Sequence, residues 1–449
     1  MANVGEFTSQ PTFRQRRLVL RRPLWPHVFI ALFGAGWAVS FDVGVRLYSA
    51  EIVTIFGLIL LPWQALPARF PMLKKVLAAY ALWVVAIGLS DLVNGTALFD
   101  SARHMATPII GAASLVFAVS VLSRKPSALL TFLAATAVAK ALFGDAAYGD
   151  TFADQSLNWA SIEANTNIFK VRIVPFLTPA LVLFACLIST RNMNRASVLL
   201  ILASAGYFAM DSRGTGLVLF LSAILLIMID IGFKPRTNHI VLGSVLVAIV
   251  GYLFYIGYVY YTIEYNPQGH NGQQMLRLEN PLNPFSLLLQ GRSEWLVWPI
   301  AFAERPLFGW GSWAEDPDGR FTLLRLALLE TSPSANFLAS DRNYIPVHSL
   351  IGVAFVWSGL LGLVAALWFL RIILSMGRRL SLLKTYLLPA VTFLFLLMLW
   401  HYFFSPPQHV RLSFPVALAA LIVLTNPFFP QKRRRGRTCC NPTIEDLRA

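Results

Sequence analysis

A few side chains in this sequence are of types and spacings that could do chemistry, and each also has a plainer structural reading. Arg213 lies in "MDSRGTG", where Asp211, Ser212 and Arg213 stand between two apolar runs and a glycine leads into the second. An arginine at a helix N-terminus suits a phosphate or diphosphate, through charge-assisted bonds and free backbone N–H groups. The plainer reading is an Asp211–Arg213 pair in a tight turn. Arg292 and Glu294 open "GRSEWLVWPIAFAERPLFGWGSW", residues 291–313. At helical spacing Trp295, Trp298 and Phe302 share a face, which predicts an amphipathic helix on a membrane surface with its tryptophans at headgroup level. Pro306 ends that helix and Gly309-Trp310-Gly311 forms a turn. The plainer reading is an interfacial helix followed by an ordinary turn. His348 begins "HSLIGVAFVWSGLLG". Histidine acts as a general base near neutral pH and could take the proton of a sugar hydroxyl; a structural histidine at a membrane interface is the alternative.

Other groups are weaker. Lys170 and Arg172 precede one apolar run, and Arg277, Arg320, Arg325 and Arg342 lie between residues 263 and 346. Together they could present a basic surface to an anionic lipid-linked substrate, or they are solvated loop charges. The carboxylates of "EDPDG" at 315–319 do not have the spacing of an EF-hand. His401 and His409 are candidates for secondary roles. The chain has no phosphate-cradling Gly-Lys-Ser/Thr loop, no zinc spacing and no G-x-S-x-G elbow. Its 3 cysteines have no metal-ligand spacing and offer no disulfide framework.

The elements that must carry these residues follow from composition. The chain is 56% hydrophobic and 13% charged, whereas soluble domains are about a quarter charged. Apolar runs of about 18–25 residues recur, and in hydrocarbon every backbone group must be paired internally, so helices are the expected spanning form. The fold class is therefore an all-α polytopic membrane protein. Spans are expected at 24–45, 48–66, 73–93, 105–123, 127–144, 173–190, 196–210, 214–233, 239–262, 347–370, 382–404 and 410–427, about twelve by the length criterion. The first is read as an uncleaved span rather than a secretory signal. Lys and Arg crowd into alternate connections, among them Arg69/Lys74/Lys75, Arg124/Lys125, Arg191/Arg195, Lys234/Arg236, Arg371/Arg378/Arg379/Lys384 and the C-terminal "QKRRRGR". Positive charge stays inside, which predicts that both termini are cytoplasmic. The chain then divides into a basic tail (1–23), spans one to nine (24–262), a large periplasmic loop (263–346), spans ten to twelve (347–427) and a second basic tail (428–449). The net charge of +15 is accounted for by membrane orientation and anionic headgroups, and nucleic acid is not an expected partner.

Taken in order, "SRGTG" at a span boundary, the long loop with "GRSEWLVWPIAFAERPLFGWGSW", and "VHSLIGVAFVWSGLLG" entering the next span resemble the bacterial O-antigen ligase and polysaccharide polymerase superfamily. The resemblance covers residues 170–370 by motif and the whole chain by topology. It implies a GT-C-like inner-membrane glycosyltransferase with interfacial helices in its periplasmic loop, inverting, metal-independent and without cofactor. Its donor would be a glycan on undecaprenyl diphosphate. Its acceptor would be another glycan or lipid A–core, in O-antigen, lipopolysaccharide or exopolysaccharide biosynthesis. On matching positions, Arg213 and Arg292 would hold the diphosphate and His348 would orient or deprotonate the acceptor hydroxyl; Arg172, Glu294 and Trp310 complete the expected substrate-binding set. The loop segment would cover a lateral cleft, with its arginine facing the diphosphate, its tryptophans facing lipid and its glycine turn letting the backbone approach the sugar. Family members often carry His-Asn and a Glu before the closing glycines; this chain has His348-Ser349 and Trp357-Ser358-Gly359.

Ligase, polymerase and protein oligosaccharyltransferase share this donor chemistry, and the sequence does not choose among them. Outside the enzymes, a polysaccharide transporter or lipid-linked glycan flippase is the alternative. Transporters place their sites near the midplane, where this sequence offers few charges, Lys140 among them.

Overall fold

The computed structural model describes residues 24–42, 46–144, 173–210, 212–232, 237–265, 272, 275–276, 278, 280–286, 294–328, 344–347, 349–405 and 409–426. It is an array of apolar helices: α1 (Trp25–Ala35), α2 (Ser49–Leu60), the short α3 (Leu66–Arg69), α4 (Pro71–Asn94), α5 (Leu98–Leu122), α6 (Ala128–Phe143), α7 (Val174–Ser189), α8 (Met193–Ala209), α9 (Arg213–Asp230), α10 (Thr237–Tyr265), α11 (Glu294–Glu304), α12 (Arg320–Leu328), α13 (Leu350–Gly377), α14 (Leu388–Phe404) and α15 (His409–Leu424). Each segment expected to span contains one of these helices. Among the described residues, 4 segments are long and apolar enough to cross a membrane, Pro71–Asn94, Leu98–Leu122, Arg213–Asp230 and Leu350–Leu382, and six further apolar helices are shorter, 10–17 residues. The chain is thus helical and apolar in the manner of a multi-pass membrane protein.

The first expected span departs from the sequence reading. Instead of running from 24 to 45, α1 stops at Ala35, and a one-turn helix at Gly36–Ala38 leads into a hairpin of β1 (Ser40–Asp42) and β2 (Arg46–Tyr48). The strands pair antiparallel with Ser40 opposite Tyr48. Gly36 permits the close approach that goes with this fold-back: a Cβ on it would lie 2.4 Å from the backbone N of Ala50, at the start of α2. Arg411 of α15 secures the hairpin, donating to the carbonyl oxygen of Arg46 and pairing with Glu51 at 2.7 Å.

The helices pack in pairs: α8 on α9 and α13 on α4 run antiparallel, while α15 on α5 and α1 on α6 run parallel. Along α15, Val410, Phe414, Val416, Leu418, Ala419, Leu421 and Val423 are all buried. A helix apolar on every side belongs inside a bundle, and α15 fills that place. Because connections are short, they alternate between two ends. At one end Asn426 donates to the carbonyl of Arg69 and Ser189 to that of Tyr386. This end gathers Arg124/Lys125, Arg191/Arg195 and Arg378/Arg379/Lys384. The other end carries the hairpin, the α4–α5 and α8–α9 turns, and the segment 294–328. That segment builds a smaller second core in which Val297, Trp298, Ala301, Ala314 and Phe321 pack on Ile345 and on Val353, Val356 and Trp357 of α13.

Candidate functional site

The segment 294–313 is positioned by a break in a helix. Within α13, Gly359 is non-helical (φ 60°, ψ −148°). Carbonyls that would have served the next helical turn are served by the glycine turn instead. Trp310 N donates to Val356 O and Gly311 N to Trp357 O, each at 3.0 Å, while Leu360 N donates to Pro306 O at 2.8 Å. Ser90 Oγ of α4 adds a further bond to Trp357 O at 2.6 Å. Non-helical backbone at membrane depth is tolerated only where protein or water satisfies its polar groups, and residues 306–311 do so here. Both glycines are required. Gly309 has φ +69°, and a Cβ on it would lie 2.6 Å from Gly359 N; a Cβ on Gly359 would lie 2.5 Å from Leu307 O. The backbone that this turn approaches is that of α13.

The tryptophan face is likewise turned inward. Trp295, Trp298 and Phe302 do share one side of α11, but that side packs on the bundle where lipid was expected. Trp298 Nε1 donates to Pro346 O at 3.1 Å, Phe302 stacks on Phe355 with ring centroids 4.2 Å apart, and Trp295 stacks on Phe404 of α14. Gly352 permits this, since a Cβ there would lie 2.5 Å from the Trp298 ring. Glu294, the first residue of α11, is buried beside them.

Below the turn lies a polar network that sequence reasoning passed over. Asp91 near the end of α4 accepts from Ser312 N at 2.6 Å and from Ser312 Oγ at 2.7 Å. His104 of α5 has its Nδ1 2.6 Å from the same Oγ. Since the hydroxyl hydrogen goes to the carboxylate, Oγ is the acceptor toward the ring and His104 carries its hydrogen on Nδ1. All three groups are buried, Asp91 4%, His104 3% and Ser312 5% exposed. The His104 ring meets Trp357 edge to face at 4.8 Å. An acid and a histidine inside apolar spans were the available signal. Alanine at Ser312 is expected to leave Asp91 Oδ2 and His104 Nδ1–H unpaired and to destabilise the fold by about 1–3 kcal/mol. A thermal melt of the purified variant identical to wild type would remove this network from the account.

Of the residues singled out in the sequence, Trp310 is half-buried; its Nε1 donates to Ala301 O at 2.7 Å, its ring meets Phe321 edge to face, and the Arg305 guanidinium lies 4.1 Å from its centroid. Arg213 is the first residue of α9 and lies over Tyr258 at 5.6 Å. The glycines around it serve packing: a Cβ on Gly214 would lie 2.8 Å from Trp400 of α14, and one on Gly216 would lie 3.2 Å from Phe208 of α8. Arg213, Glu294 and Trp310 belong to elements that meet the same end of the bundle. Arg172, Arg292 and His348 lie outside the described residues, as do Lys170, Asp211, Arg277 and Arg342. In the acidic run, Asp316 accepts from Phe321 N at 2.8 Å and from Thr322 N at 3.3 Å, so its carboxylate caps the first turn of α12. Arg320 is paired with Glu304. His401 Nδ1 lies 2.8 Å from Ser405 Oγ.

Comparison with protein-family models finds no matching family, and comparison with curated proteins finds no match.

Proposed function

We propose that this chain is a membrane glycosyltransferase of the O-antigen ligase and polysaccharide polymerase type, moving a glycan from undecaprenyl diphosphate to an acceptor hydroxyl. Twelve spans, cytoplasmic termini and a periplasmic active site belong to the proposal. The observation that carries it is the docking of the 294–313 segment onto the broken α13, at the end where α9 presents Arg213 and opposite the end that gathers the basic connections. This arrangement supports a site at the non-cytoplasmic surface, because positive connections stay inside.

In the mechanism, Arg213 and Arg292 hold the donor diphosphate and stabilise the negative charge that develops on it as it leaves. Fixed arginines in a partly dry site can supply that stabilisation. His348 accepts the proton of the acceptor hydroxyl as the hydroxyl oxygen attacks the anomeric carbon. The carbon–oxygen bond to diphosphate breaks, and undecaprenyl diphosphate departs with inversion. Metal is not required by this set of charges.

The test is a reconstituted assay with the full chain in bilayer, undecaprenyl-diphosphate-linked glycan, and separate glycan, lipid A–core and peptide acceptors, with and without EDTA. Glycan is expected on one acceptor with release of undecaprenyl diphosphate, and EDTA is expected to leave the rate unchanged. The acceptor that receives it distinguishes polymerase, ligase and oligosaccharyltransferase. No transfer from folded protein to any acceptor would reject the enzyme reading in favour of transport. Transfer abolished by EDTA and restored by a divalent cation would reject the metal-independent mechanism.

A further inference from the structure

The docked turn fixes arginines that no family motif singled out. Arg103, on the second turn of α5, stands beside His104, which is bonded to Ser312; its guanidinium lies 4.1 Å from the Trp313 ring. Arg305, at the start of the turn, lies 4.1 Å from the Trp310 ring and donates to Asn94 Oδ1 at 2.8 Å. Asn94 closes α4 and itself donates to Gly309 O at 3.2 Å. One short turn, 309–313, thus carries an arginine at each end, both at the mouth of the α4–α5 hairpin.

Their surroundings differ from those of Arg320 and Arg411. Arg320 has Glu304, and Arg411 has Glu51. Among the described residues Arg103 and Arg305 have no carboxylate partner, and Asp91, the nearest acid in the network, spends its oxygens on Ser312. Both arginines are exposed. A guanidinium stacked on an indole is held by its face and keeps its N–H edge outward, the geometry that meets phosphate oxygens. Holding the fork still in advance lowers the ordering cost of binding. The Trp310 indole is in turn held by its bond to Ala301 O, and the Trp313 ring by its contacts with Tyr344 and Trp357, so the orientation is built into the fold.

We propose that Arg103 and Arg305 bind the diphosphate of an isoprenoid carrier lipid at the rim of the docked turn, as a subsite additional to Arg213 and Arg292; this rests on the glycosyltransferase reading above. The shared chemistry is lipid-borne phosphate, which ordinary phospholipid headgroups also offer, and the experiment separates the sources. Equilibrium binding of radiolabelled undecaprenyl diphosphate is measured on the full chain in phosphatidylcholine nanodiscs. The variants are Arg103→Gln, Arg305→Gln, the double variant, and Arg213→Gln. Competition is with inorganic diphosphate and with phosphatidylglycerol.

Each Gln variant is expected to weaken binding about tenfold, and the double variant further. Inorganic diphosphate should compete, and phosphatidylglycerol in molar excess should not. Wild-type binding that the double variant matches, while Arg213→Gln weakens it, overturns this inference and leaves the enzyme reading standing. No binding by wild type overturns both. Displacement by phosphatidylglycerol at equal molar ratio overturns the diphosphate assignment and makes the pair a headgroup anchor. Should the double variant fail to fold, Arg103→Gln alone decides, because Arg103 touches the turn only through the Trp313 ring.

Discussion

Alanine at His348 is expected to reduce glycan transfer by about 10²–10⁴-fold, the range lost when a positioned general base is removed. The acceptor hydroxyl is a poor nucleophile until its proton has somewhere to go, so loss of the base acts on the chemical step. Binding of undecaprenyl diphosphate should therefore stay near wild type, because the arginines that hold it are untouched. Added imidazole should restore part of the rate in the alanine variant, which a purely structural histidine would not allow. Transfer within a few-fold of wild type, measured on protein shown by its melt to be folded, would falsify the base assignment. The same assay on Arg292→Ala separates the two roles: there donor binding should fall along with transfer.

The second large effect concerns the break in α13. Alanine at Gly359 is expected to destabilise the protein by about 2–5 kcal/mol, the sum of a left-handed backbone imposed on an L side chain and an overpacked contact. The new Cβ would lie 2.5 Å from Leu307 O and 2.6 Å from Gly309 N, both backbone atoms that cannot rotate away. Relief would require residues 306–311 to leave α13, and the carbonyls of Val356 and Trp357 would lose their partners. Gly206 in α8 is the matched control, since a Cβ there meets nothing within 4 Å. Alanine at Gly206 should be neutral or stabilise by about 0.5–1 kcal/mol through helix propensity. Thermal unfolding of both variants, with the yield of monodisperse protein, checks the pair. Equal stability of the two would show that the kink does not depend on glycine.

The spacing of the aromatic residues on α11 was readable, because a period of 3.6 puts Trp295, Trp298 and Phe302 on one side. What that side faces was not. An amphipathic stripe has the same pattern whether it meets lipid or another helix, and here Gly352 and Phe355 of α13 receive it. The "SRGTG" glycines pose the same difficulty: next to an arginine they suggest an anion site, yet Gly214 and Gly216 fit against Trp400 and Phe208. The contrast with α1 is instructive in another way. Its apolar run is long enough to span, but a run length does not show that the chain turns into a hairpin after Ala38 with Gly36 close against the backbone of Ala50.

The sequence by itself determined that the chain is built of apolar helices, roughly where each lies, which connections carry the positive charge, and that a turn follows Pro306. These properties depend on neighbours along the chain: the need to pair backbone groups in an apolar medium, the length of a run, and the restricted backbone of proline and glycine. Only the tertiary structure decided that the 309–311 turn serves the break at Gly359, and that Ser312 closes on Asp91, 221 residues away in the chain, and on His104. Those pairings arise when the helices pack. A buried carbonyl or carboxylate takes whichever donor the packed backbone brings within reach, and no local pattern encodes which one that will be.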